Sequence, residues 1–102
     1  METIYRQGDV LIRRISGLPT QKAALRTSGI LAYGEVTGHC HKIEDTAGAE
    51  VLEVGEGLYL RVGDEGVRIV HEEHAPIMLP KGDYQVTIQQ EYTPAEIRNV
   101  AD

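Results

Sequence analysis

The chain has 102 residues, 41% hydrophobic and 25% charged, with a formal net charge of −6 at pH 7. These are the proportions of a soluble globular domain spanning residues 1–102, and they exclude a disordered tail, a fibrous repeat or a solenoid. An acidic surface repels phosphate backbones, which argues against nucleic-acid binding, and no run approaches the ~18 apolar residues of a membrane span.

Glycines punctuate short apolar runs along the chain, the rhythm of an all-β fold. After a Tyr5-Arg6-Gln7 lead-in, Gly8-Asp9 opens a first strand over residues 10–15, which Ser16-Gly17-Leu18-Pro19 breaks. Residues 21–28 read as a loop or a single helical turn. Residues 30–36 form a second strand, and His39 to Glu44 a third, closed by a turn at Asp45-Thr46-Ala47-Gly48. Residues 50–54, 58–62 and 67–70 then read as a three-stranded meander with glycine-bearing hairpin loops. Pro76 and Pro80 bracket Ile77-Met78-Leu79, an edge strand or extended connection. Residues 84–92 alternate most cleanly, with Tyr84, Val86 and Ile88 on one face. Thr93-Pro94-Ala95-Glu96 carries a helix-start pattern: a Thr cap, Pro at the first helical position and Glu three after the cap. The expected fold is a small antiparallel β-barrel or sandwich with a short C-terminal helix. With no Phe and no Trp, its core is built from Val, Ile, Leu, Ala and Tyr.

The four histidines fall in two close pairs, His39 and His41 around Cys40, and His71 and His74 around Glu72-Glu73. Imidazoles at i and i+2 on a strand share a face and can converge on one ion, while Cys40 and Lys42 point the other way. At i and i+3, side chains diverge on a flat strand, so His71 and His74 join one site only if the segment bends. Neutral imidazole suits zinc first, and also iron, nickel or copper, over magnesium or calcium. Glu72, Glu73 and Glu44 are the nearby carboxylates for a general base, a ligand or a supporting hydrogen bond. The metal-free alternative is a histidine–carboxylate cluster that stacks across a hairpin. Cys40 reads as a buried thiol rather than a nucleophile. Residues 34–38 lack the following lysine and helix of a phosphate loop. Arg13, Arg14, Arg61 and Arg68 read as solvated strand faces. With one cysteine there is no internal disulfide. Met1 to Arg6 lacks the character of a secretory signal, so the expected location is cytoplasmic.

Two resemblances attach to these residues. Gly34, His39, His41 and Glu44, with the turn Pro80-Lys81-Gly82, are similar to the motifs of the cupins, although Gln85 stands where a last His is expected. That likeness implies an iron-dependent enzyme with His39, His41 and Glu44 as ligands. The segments 6–11, 34–41 and 71–76, together with Pro80, Gly82-Asp83-Tyr84 and residues 91–94, resemble a family of short uncharacterised proteins encoded by bacteria and their phages. That second likeness implies a bacterial or phage origin. The leading functional expectation is a transition-metal protein using His39, His41, His71 and His74. It would act on a small-molecule ligand or substrate as a metal-dependent hydrolase, with Glu72 or Glu73 as base. The alternative class is a non-catalytic module whose metal or histidine cluster closes a homodimer.

Overall fold

The structure, a computed structural model, describes residues 3–19, 21–33 and 39–88. They form two antiparallel sheets around a shared core, all-β as expected. The first sheet begins with β1 (Ile4–Gln7) and β2 (Val10–Ile15), a hairpin closed by the two-residue loop Gly8-Asp9. Gly8 has φ 60°, a conformation that glycine adopts without Cβ strain and that tight hairpin loops matching strand twist call for. A second hairpin joins β6 (Ala49–Val54) to β7 (Gly57–Val62), with Gly55 at φ 59° in its loop. Strand β10 (Gly82–Ile88) pairs with β2 on one side and β7 on the other, and β3 (Ala24–Arg26) borders β6. The order is β1-β2-β10-β7-β6-β3.

The second sheet has the order β4-β5-β8-β9, from β4 (Ile30–Tyr33), β5 (Cys40–Ile43), β8 (Val67–Val70) and β9 (Ile77–Leu79). Alternation explains how the sheets face each other. Val10 and Ile12, Leu60 and Val62, and Tyr84 and Val86 point inward from the first sheet, and Ile43, Val67, Ile69 and Leu79 from the second. Tyr84 does the work of the absent Phe and Trp. It is fully buried, its hydroxyl donates to the Pro80 carbonyl at 2.6 Å, and Tyr5 packs edge-on with ring centroids 6.2 Å apart.

Two sequence expectations change. The meander holds only for its first hairpin, because residues 67–70 leave β7 and pair with β5 and β9 in the other sheet. A tight turn with Gly66 N–H donating to the Gly63 carbonyl (3.0 Å) and Gly66 at φ 73° redirects the chain there. The weakly patterned stretch 21–28, expected as a loop or a helical turn, contains the short strand β3. The turn expected at residues 45–48 is a 3₁₀ turn at Thr46–Gly48 capped by Asp45. Ile88, on the same face as Tyr84 and Val86, is 54% exposed at the last described residue. The expected continuation of the second strand over 34–36, the end of the last strand over 89–92 and the C-terminal helix lie outside the described residues.

Candidate metal centre

The register of β5 against β8 places the site. Lys42 pairs with Val70 and Ile43 with Ile69. Carried up to three steps beyond the ladder, the same antiparallel register sets His41 against His71, Cys40 against Glu72 and His39 against Glu73. The contacts follow that order. The rings of His41 and His71 are 4.3 Å apart, the Glu72 carboxylate accepts the Cys40 backbone N–H at 3.0 Å, and His39 Nδ1 lies 3.6 Å from a Glu73 oxygen.

Beyond His71 the backbone bends over residues 72–74. The bend brings the His74 ring to 4.7 Å from His71 and stacks it at 5.7 Å on His41. The His39 ring stands edge-on to His71 at 5.8 Å. All four imidazoles thus converge, although the four are not equivalent. His41 is buried, 2% exposed, while His39 is partly covered and His74 is exposed.

The β1–β2 loop supplies the third wall. A Cβ on Gly8 would lie 2.7 Å from His74 Nε2, so the bare glycine backbone is what lets that ring lie against the turn. Asp9 Oδ1 approaches His41 Nε2 to 3.8 Å. Gln7, itself buried, donates from its amide nitrogen to the carbonyls of Ile69 (3.0 Å) and Ala75 (2.9 Å), and its oxygen meets His41 Nδ1 at 2.9 Å. Gln7, Gly8 and Asp9 were not singled out for the site by sequence reasoning. The Gly-Asp turn marks a hairpin, but no spacing rule says which distant segment that hairpin touches.

The electrostatics suit a cation. Burial, reinforced by the neighbouring His71 ring, holds His41 below the ordinary imidazole value, with Asp9 pulling the other way. Glu72 is held below the usual carboxylate range by its own backbone N–H and then by that of Cys40, so it stands as an anion beside the rings. Among the described residues, His39, His71 and Glu72 offer ligand atoms that all lie within 4.8 Å of one another. His39 Nδ1 is buried there with no hydrogen-bond partner among those residues, a state that a bound ion or proton donor relieves. His71 Nδ1 accepts the Glu73 N–H at 3.0 Å, which ties one of its two nitrogens to the bend.

Other candidates lie apart from this cluster. Glu44 pairs with Arg68 at 3.7 Å, and Gln85 accepts from Arg13 in the other sheet; neither belongs to the group of approaching ligand atoms. Cys40 is buried, and its thiol is outside the converging set.

A family model described as a domain of unknown function, DUF8820, matches residues 6–89. The chain belongs to this family. The DUF8820 match takes in the β1–β2 loop, all four histidines and the bend, and it agrees with the expectation of an uncharacterised family. No curated protein and no solved structure matches the chain. Among the described residues, no helix is long and apolar enough to cross a membrane.

Proposed function

We propose that this protein binds a divalent transition metal, zinc first and iron, nickel or copper after it, at the end of the sandwich where the histidines meet. The observation that carries the reading is the mutual approach of His39, His71 and Glu72, whose ligand atoms lie within 4.8 Å. Two imidazoles and one carboxylate form a donor set used for catalytic zinc and for non-haem iron, and such a set leaves positions open to water or a small-molecule ligand. His41 and His74 stand next to it, one buried and one exposed, to complete or support the coordination.

Hydrolysis is the reaction class that fits an ion with an open position, the ion lowering the pKa of a bound water. Of the two acids expected to serve as base, Glu73 is the better placed. Glu72 has an oxygen committed to the Cys40 N–H and is held in its weakly basic ionised form, whereas Glu73 is solvent-facing beside His39. A homodimer closed by a shared ion is the second class, and a cupin-like iron enzyme the third. The pairing of Glu44 with Arg68 lends that third reading no support. A bacterial or phage cytoplasm is the setting we assign.

Elemental analysis of untagged protein, followed by zinc titration with calorimetry and melting, tests the proposal. The expected result is one ion per chain and a raised Tm, about 2.7 kcal/mol of stabilisation at a free zinc concentration a hundred times Kd. Replacing His71 or Glu72 by Ala should weaken zinc at least about tenfold. Metal-free protein whose Tm is indifferent to zinc, nickel and ferrous iron would overturn the reading. Loss of folded structure on chelation favours the structural module, and an unchanged fold favours the enzyme.

A further inference from the structure

The buried amide of Gln7 decides which nitrogen His41 presents. A neutral imidazole has one N–H and one lone pair, and the partner of one nitrogen fixes the role of the other. Gln7 bridges the two sheets from the end of β1. Both hydrogens of its amide nitrogen are committed to carbonyl oxygens, those of Ile69 in β8 and Ala75 before β9, at 3.0 and 2.9 Å. The reversed amide would point its oxygen at two carbonyl oxygens and lose both bonds, so the carbonyls fix which amide atom faces His41. That atom is an oxygen, which only accepts, so the hydrogen in the 2.9 Å contact belongs to His41 Nδ1. Nε2 then carries the lone pair, on the side where Asp9 stands at 3.8 Å.

We infer that Gln7 is a positioning residue that locks His41 as the Nδ1–H tautomer and thereby makes Nε2 its ligating atom. The inference deepens the metal reading, because it names the donor atom, and it also stands apart from that reading, because the lock exists before any ion arrives. A hydrogen bond of this kind on the far nitrogen orients a ligating imidazole and raises its basicity. It also gives the buried His41 a purpose that burial alone does not. An unlocked ring at this place could turn an N–H toward Asp9 and present no lone pair to an ion.

Long-range proton–nitrogen correlation NMR on metal-free, ring-labelled protein at pH 8 reads the tautomer directly. Wild type should show His41 with a protonated Nδ1 and an unprotonated Nε2. Gln7→Met, which keeps the length but removes both amide functions, should move His41 toward the Nε2–H form and weaken zinc by about ten- to a hundredfold. A wild-type His41 found with hydrogen on Nε2, or a folded Gln7→Met variant with its tautomer unchanged, overturns the inference. If Gln7→Met does not fold, the wild-type spectrum still decides. Should zinc fail to bind while the Nδ1–H form is observed, the metal reading falls and the lock stands.

Discussion

At the scale of the residue, Gly8 carries two demands at once. Its φ of 60° is one that a side chain occupies only with strain, and its missing Cβ leaves room for the His74 ring. Gly8→Ala should therefore lose about 1–2 kcal/mol by denaturant unfolding, and the His74 ring resonances should move. Adding His74→Ala should restore only the part due to the ring, since the backbone strain remains, and a double-mutant cycle separates the two. A cycle with no coupling would mean that the ring does not rest on the turn. The histidines themselves were legible in the sequence, because imidazole is scarce and its spacing on strands and bends has consequences. Gln7 and Asp9 were not, since a polar residue flanking a hairpin loop looks the same whether it faces water or a distant bend.

At the scale of the element, β10 is held on both sides, by β2 and by β7, and its Tyr84 is wholly enclosed. Tyr84→Phe keeps the ring and removes the bond to the Pro80 carbonyl, so the expected loss is about 1 kcal/mol in chemical denaturation with an unchanged m-value. A much larger loss would show that the hydroxyl also anchors the turn into β10. Strands with strict alternation, such as 67–70 with Val67 and Ile69 inside and Arg68 outside, could be read from hydropathy alone. β3 could not, since it is three residues long with Ala24 and Leu25 exposed and offers no period to detect. Nor could the departure of β8 from β7 be read. The Gly63–Gly66 turn has the composition of the β6–β7 loop, and composition does not say whether two strands separated by a turn remain partners.

At the scale of the whole molecule, the cluster links stability to proton concentration. His41 has a folded-state pKa below its unfolded value of 6.5, so the unfolded chain takes up the proton first as pH falls. The metal-free protein should keep this contribution in full above about pH 6.5 and lose it progressively as acidity increases toward the lowered value. His41→Gln should flatten that part of the stability curve, measured by urea unfolding between pH 5 and pH 8. An unaltered slope would mean that His41 is not the group responsible. The bond between the Cys40 backbone and Glu72 has its own consequence, since the chain's single sulfhydryl lies buried beside it. The protein thus contains a built-in clock for opening at this seam. Iodoacetamide should alkylate the native chain far more slowly than unfolded chain, and Glu72→Ala should hasten it. Mass spectrometry at timed quench points would read the rate with which β5 and the segment after β8 part at that end.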